Sequence, residues 1–184
     1  MKRHPLLIYG RRFRAWRWPA LFIAIGCGVL WWFAPDLFAP DALDLAAWAL
    51  LVGLAVGLML FAYTFVAPAL AYVECTAKFL IVNTPFYRLA VSYGRIRGVR
   101  PVRFAPPGVS GLRRELVQPL LGQTAVVVDL NGYPMSERWL RFWLGWFLFP
   151  HDSTGLLFVT PDWMALSRDI DVHRAEVKMR RSQR

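Results

Sequence analysis

The chain has 184 residues, of which 57% are hydrophobic and only 18% are charged, whereas soluble domains average about 45–50% and about 25%. A mean hydropathy of +0.36 points the same way. These values exclude a disordered chain and argue against an ordinary soluble enzyme. The 22 Lys and Arg residues outnumber the 12 Asp and Glu residues, which gives a net charge of +10. Such a charge favours an anionic partner, either lipid or nucleic acid.

Two long uncharged stretches come first in chain order. They run from 19 to 35 and from 45 to 73, which is 17 and 29 residues. A membrane-spanning helix needs about 20 apolar residues, so we predict a transmembrane hairpin over residues 19–73, with helices at about 19–38 and 45–68. Pro68 is expected either to kink the second helix or to end its regular part. One alternative is a pair of buried core helices in a soluble protein, but the second run has no polar face. The other is a cleaved signal peptide, but the bulky Trp31-Trp32 does not suit a cleavage site, which needs small residues.

The charges around these stretches predict their orientation. Residues 1–18 form a basic segment with six Lys and Arg residues and no acid, and the loop between the stretches holds Asp36, Asp41 and Asp44 with no base. Further arginines follow the second stretch. The positive-inside rule therefore predicts a multi-pass protein of the bacterial inner membrane with both termini in the cytoplasm.

Small residues recur at four-residue spacing within the two stretches. Such residues let helices approach closely in lipid, although the pattern also arises by chance in Gly-rich segments. The candidate helix-packing residues are Ala24, Gly28, Ala49, Gly53 and Gly57. Both stretches lack the ionisable side chains that transport paths and haem ligation use. We therefore predict an anchor or assembly surface with no cofactor.

The predicted cytoplasmic region, residues 74–184, changes period to short β-branched runs separated by turn residues. A helix is predicted at 161–180, with Thr160 as its N-cap and Pro161 in its first turn. Its apolar stripe comprises Trp163, Leu166, Ile170, His173 and Val177. Strands followed by one amphipathic helix predict an α+β fold, a small antiparallel β-barrel or sandwich capped by the C-terminal helix.

Residues 71–105 carry a family resemblance. The stretch AYVECTAKFLIVNTPFYRLAVSYGRIRGVRPVRF resembles the start of a bacterial pleckstrin-homology-like domain: a strand, a polar turn, two further strands, then the step from Gly94 to Val99. Some members of that family follow a pair of membrane helices. The resemblance implies a membrane-tethered scaffold without catalytic residues. The phosphoinositide motif of eukaryotic relatives needs several basic residues in the first turn, where this chain has only Lys78, so that activity is not expected here.

A series of arginines is the first candidate binding feature. It comprises Arg95, Arg97, Arg100, Arg103, Arg113 and Arg114. Near a membrane, each basic residue adds about 1 kcal/mol of attraction to anionic lipid. The alternative is a solvated edge strand that charge protects from aggregation. The sequence does not decide between these two interpretations.

The second candidate is the segment WLRFWLGWFLF, residues 139–149, inside an aromatic insertion at 133–150. It contains the candidate contact residues Trp139, Arg141, Trp143 and Trp146. Eleven residues are too few to span a bilayer. The segment is therefore interpreted as an interfacial or partner-binding helix, with a buried core strand or helix as the alternative.

No enzyme motif is present. Ser153, His151 and Asp152 are adjacent in sequence, whereas triad residues meet from separate segments. Two cysteines and three separated histidines predict no metal site. We therefore predict a non-catalytic membrane scaffold or adaptor whose partners are membrane lipids, other membrane proteins or identical chains, and not nucleic acid. The alternative is an accessory subunit of a larger energy-converting complex, respiratory or photosynthetic.

Overall fold

A computed structural model of the protein describes residues 2–38, 40–106, 111–150 and 152–183. The chain divides into two compact units. One, here the hairpin unit, comprises Arg11–Ala67. The other, here the sheet unit, is discontinuous and combines Met1–Gly10 with Pro68–Arg184. The sequence places the limits of the membrane hairpin after residues 18 and 73, whereas the hairpin unit begins at Arg11 and ends at Ala67. Residues before Arg11 belong to the sheet unit because the strand Arg3–Pro5 pairs with the strand Tyr72–Cys75.

The hairpin unit is helical. Helix α1 covers Leu7–Trp32 and starts in the sheet unit, α2 covers Ala34–Leu37, and α3 covers Pro40–Val66. Helix α1 therefore begins 12 residues before the predicted span at 19, since the basic segment from Arg11 to Arg17 is also helical. The regular part of α3 ends just before Pro68, which lies in a 3-10 turn, Ala67–Leu70, because proline has no N–H to continue the ladder.

Within the described residues, one helix is long and apolar enough to cross a membrane. It covers Asp44–Leu70, has a mean hydropathy of 2.4 in its most apolar window, and only 6% of that window is buried. The sequence predicted two such helices. Helix α1 does not meet the same criterion, because only 15 of its residues follow Arg17, fewer than a full apolar window.

Small residues form the contact between α1 and α3. A Cβ atom on Gly57 would lie 2.9 Å from the backbone nitrogen of Ala24, and one on Gly53 would lie 2.8 Å from the Cys27 sulfur. The pairs Ala24–Gly57 and Cys27–Gly53 run in opposite order along the two helices, so the helices are antiparallel. Gly28 lies near Leu54 at the same contact, whereas Ala49 is exposed.

The sheet unit contains two antiparallel sheets. The four strands of the first, in spatial order, are β1 (Arg3–Pro5), β2 (Tyr72–Cys75), β3 (Phe79–Asn83) and β4 (Arg88–Ser92). The three strands of the second are β5 (Ile96–Arg103), β6 (Thr124–Leu130) and β7 (Gly155–Phe158). Together with the helices, these sheets confirm the predicted α+β class.

Strand β1 was not predicted. His4 pairs with Val73 of β2, and the Leu6 N–H donates to the Ala71 carbonyl at 3.0 Å. The His4 side chain is buried and its Nε2 lies 3.0 Å from Asp169 Oδ2. The segment before the hairpin is therefore a structural part of the sheet unit.

Three helices complete the sheet unit: α4 (Leu112–Val117), α5 (Glu137–Leu144) and α6 (Trp163–Ser182). Helix α6 contacts β2, β5 and β6, so it packs on strands of both sheets. Leu166 and Ile170 of the predicted stripe are fully buried there. The predicted N-cap was wrong. The cap is Asp162, whose carboxylate accepts from the Ala165 N–H at 3.0 Å, because Asp162 stands three residues before that donor.

Candidate functional site

The aromatic insertion contains helix α5, which has one buried and one exposed face. The helix is capped by Gly145, whose φ of 82° suits glycine, and a 3-10 turn, Trp146–Leu148, follows. Leu140 and Leu144 are fully buried, whereas Trp139 is 47% exposed and Phe142 is 76% exposed. Helix α5 therefore has one buried face and one exposed face.

Large apolar side chains from α5 and from two neighbouring positions lie next to one another at the surface. This set, here the α5 aromatic surface, comprises Tyr87, Met135, Trp139, Phe142 and Trp143. Trp143 joins its members: its ring centroid lies 5.8 Å from that of Trp139, 5.3 Å from Phe142 and 6.1 Å from Tyr87. The Tyr87 hydroxyl also contacts the Met135 sulfur at 3.2 Å. These contacts hold large apolar side chains at the surface in fixed positions, where water is a poor solvent for them.

Basic residues flank this surface. Arg88, Arg138 and Arg141 are all exposed. Arg141 pairs with Glu137 one turn earlier, at 2.6 Å between Nη2 and Oε1, while Arg88 and Arg138 have no acidic partner within 4.0 Å among the described residues. Aromatic rings beside uncompensated cations are the composition of interfacial membrane-binding helices.

The structure separates the predicted arginine series into groups. Arg95 lies in a 3-10 turn, while Arg97, Arg100 and Arg103 lie on β5, and all four side chains are exposed. Arg114 is exposed on α4, away from the other four in sequence. The side chain of Arg113 lies outside the described residues. Arg100 and Arg103 line a cavity.

That cavity, here the arginine cleft, has a volume of about 390 Å³. It brings together the two predicted candidate features, since Arg100 and Arg103 come from β5 while Arg141 and Trp146 come from the aromatic insertion. Phe147 and Phe149 also line the cleft, together with Val102, Phe104, Ala105, Pro106, Val127, Pro150, Asp152 and Leu157. The cations thus lie beside several apolar side chains, and Asp152 is the one acid among the described residues of the lining.

Two of the three cleft arginines are fixed by neighbours. Arg100 donates from Nε to Asp129 Oδ2 at 2.9 Å and from Nη2 to Ser153 Oγ at 2.9 Å. The Arg141 guanidinium lies 5.6 Å from the Phe149 ring centroid, within range of a cation–π contact. These contacts hold both cations in place before any ligand binds.

Arg103 differs from the other two. Within the described ranges, no carboxylate oxygen lies within 4.0 Å of its guanidinium nitrogens. Asp152 is exposed and likewise makes no ion pair with a described base. Among the described residues, Arg103 is therefore left without an ion-pair partner.

Sequence reasoning missed Asp129, Ser153 and Phe149. Asp129 had a visible signal, because it is the one charged residue in the apolar strand TAVVVDL. Ser153 was considered only for an adjacent triad with His151, which lies outside the described residues. Its actual contact is a hydrogen bond to Arg100.

A second polar cluster lies in the core beside α6 and does not open into the cleft. Tyr93 is buried and its ring stacks on His173 at 5.6 Å between centroids. Burial raises the pKa of the neighbouring Cys75 thiol to about 11 and also raises the pKa of Tyr93. Both groups are therefore neutral at physiological pH, as expected for core residues rather than nucleophiles.

In comparisons with known proteins, no protein-family model, no curated protein and no solved structure matches this chain.

Proposed function

We propose that this protein is a non-catalytic scaffold of the bacterial inner membrane, anchored by a two-helix hairpin with both termini in the cytoplasm. Its sheet unit is a pleckstrin-homology-like domain that lies on the inner leaflet and binds anionic lipid. The exposed α5 aromatic surface with its flanking arginines is the observation that carries this proposal.

The β1–β2 pairing supports an even number of membrane crossings. Strand β1 precedes the hairpin unit and β2 follows it, yet the two strands are hydrogen-bonded neighbours. This pairing favours a topology in which both ends of the hairpin unit lie on the same side of the membrane. In the proposed topology α1 and α3 both cross, with the arginines and tryptophans of α1 at the cytoplasmic interface.

The exposure pattern of the hairpin unit supports its placement in lipid. Among its described residues, the buried ones are all small: Ala20, Ala24, Ala34, Gly57, Thr64 and Ala67. Large side chains such as Phe22, Trp48 and Met59 are 65%, 69% and 64% exposed. Small residues inside and large apolar residues outside are typical of helices that pack in hydrocarbon.

The strand arrangement supports the family resemblance. A four-stranded and a three-stranded antiparallel sheet, with a C-terminal helix that packs on both, is the architecture expected of a pleckstrin-homology-like domain. Strands β2, β3 and β4, which form a meander, and strand β5 of the second sheet all lie within the stretch that carries the resemblance, residues 71–105.

The proposal is tested by measuring whether α5 enters an anionic bilayer. Cys27 and Cys75 are replaced by alanine, Phe142 by cysteine, and a polarity-sensitive dye is attached to the new thiol. The full chain is placed in nanodiscs of phosphatidylcholine alone or with phosphatidylglycerol, some containing lipid-borne quenchers. We expect a blue shift and quenching in the anionic nanodiscs, both reduced by salt and by Arg138→Gln.

The matched control is Met164→Cys, an equally simple exposed site on α6 at 59% exposure, whose label should stay in water. A Phe142 label that stays in water in both nanodiscs overturns the lipid-binding proposal. The predicted alternative, an accessory subunit, is supported instead if mild extraction from native membranes yields a distinct subunit at fixed stoichiometry that shields the same label.

A further inference from the structure

We infer that the arginine cleft is a binding site for the headgroup of a single anionic phospholipid, with Arg103 as its principal phosphate ligand. The inference rests on the proposed function for the source of the ligand, because a unit at the bilayer surface meets lipid headgroups at high effective concentration. It goes further by assigning one discrete site, which shares only Arg141 with the α5 aromatic surface and its flanking arginines.

The size of the cleft suits a headgroup. A volume of about 390 Å³ lies near the lower end of ligand-pocket volumes, roughly 300–1,000 Å³. A whole two-chain lipid exceeds this volume, so its acyl chains would remain in the bilayer. The phosphate and the adjoining glycerol would occupy the cleft.

The charges of the cleft favour a phosphate group. Arg100 and Arg141 are already paired, with Asp129 and Glu137, and so add orientation more than net charge. Arg103 has no such partner, so a phosphate oxygen can accept its N–H groups without breaking an existing ion pair. Arginine suits this role because its planar fork of donors matches the phosphate oxygens.

The rest of the wall favours a ligand with an apolar body over a free anion. Trp146, Phe147 and Phe149 line the cleft beside the arginines. Inorganic phosphate could use only the cations, whereas the glycerol and first methylenes of a lipid can also contact these rings. Lipid phosphate and inorganic phosphate share the same arginine chemistry, and the test must separate them.

The full chain in detergent micelles is titrated with short-chain phosphatidic acid, short-chain phosphatidylcholine and inorganic phosphate, and binding is followed by calorimetry. We expect phosphatidic acid to bind at least about tenfold more tightly than either of the others. Arg103→Gln should weaken that binding about tenfold or more, since a charge-assisted hydrogen bond is lost, and Arg103→Lys should retain part of it. Asp152→Asn should tighten binding, because it removes the one carboxylate of the lining.

The matched control is Arg168→Gln, which removes the same charge from an exposed arginine of α6 that lies outside both the cleft lining and the predicted arginine series and should leave binding unchanged. Equal losses in Arg103→Gln and Arg168→Gln would show diffuse attraction only and overturn the inference. Inorganic phosphate binding as tightly as phosphatidic acid would overturn the lipid as ligand.

The two proposals fail separately. If the Phe142 label enters anionic nanodiscs while Arg103→Gln has no specific effect, the scaffold proposal stands and the cleft assignment falls. If the cleft binds short-chain phosphatidic acid through Arg103 while the label stays in water, the surface contact fails and the site remains.

Discussion

The two units of this chain place the same residue types in opposite positions. In the sheet unit, large side chains such as Tyr93, Phe104 and Phe158 are at most 1% exposed. In the hairpin unit, the buried described residues are alanine, glycine and threonine, while tryptophan, phenylalanine and leucine face outward. A high hydrophobic content therefore has two structural meanings here. In the sheet unit it fills a close-packed core, whereas in the hairpin unit it supplies the outer surface of two helices that pack through small residues.

The largest effect expected from this contrast is on the core of the sheet unit. Phe158→Ala removes a fully buried ring from β7 and should lower the free energy of unfolding by about 3–5 kcal/mol. Guanidinium-induced unfolding of the full chain in mild detergent, followed by circular dichroism, measures this loss. Phe142→Ala removes the same ring from a site that is 76% exposed and should change stability by less than about 0.5 kcal/mol. Similar losses in the two variants would contradict the division into core and surface.

An intermediate effect is expected at the helix contact of the hairpin unit. Gly57→Leu places a Cβ atom within 3.0 Å of the Ala24 backbone, where no side chain can move aside, so the helices must separate. We expect a loss of about 1–3 kcal/mol, measured as a lower thermal unfolding midpoint in detergent. Gly26→Leu is the control, since a Cβ atom there meets nothing within 4 Å. If the control variant is destabilised as much, α1 and α3 do not pack through Gly57.

The smallest effect concerns Cys75 in the core. Burial raises its pKa from 9.0 to about 11, so its thiolate fraction at pH 8 falls roughly a hundredfold. In a Cys27→Ala background, a thiol reagent should therefore modify Cys75 slowly until the protein is denatured. Rapid modification of the native chain would place the thiol at the surface.

The same shift gives a pH dependence. Because the folded-state pKa of Cys75 is raised, its contribution to stability is complete below about pH 9 and is lost as the pH rises through about 11. Tyr93 shifts in the same direction, so it adds to the alkaline loss. Cys75→Ala should flatten the fall of stability between these pH values. An unchanged slope would show that the thiol does not titrate differently in the folded chain.

Sequence patterns predicted the local parts of this architecture well. The strands between 71 and 105 follow from alternation and turn residues, and the apolar stripe of α6 follows from helical spacing. The small residues Ala24 and Gly57, which recur at helical intervals in the sequence, lie at the contact of α1 and α3. In each case the signal is local, because a short segment alone determines which side is apolar.

The parts that sequence reasoning missed depend on distant partners. Strand β1 is only three residues, Arg3–Pro5, with no alternation to read, and its partner lies beyond the whole hairpin unit. Helix α5 is apolar nearly all round, so only packing shows that Leu140 faces inward and Phe142 outward. The arginine cleft forms only where β5 and the aromatic insertion meet. The sequence of either segment alone does not predict that contact.

The position of β1 also has a practical consequence for producing the sheet unit. A fragment that begins at Pro68 would lack β1 and therefore expose the edge of β2. Exposed strand edges promote aggregation. It would also lose the buried side chains of Leu6, Ile8 and Tyr9. A shortened gene that joins residues 2–10 to residue 68 through a short flexible linker would keep strands β1 to β7 and omit the apolar helices of the hairpin unit. That deletion variant is the natural starting point for crystallisation or NMR of the sheet unit alone.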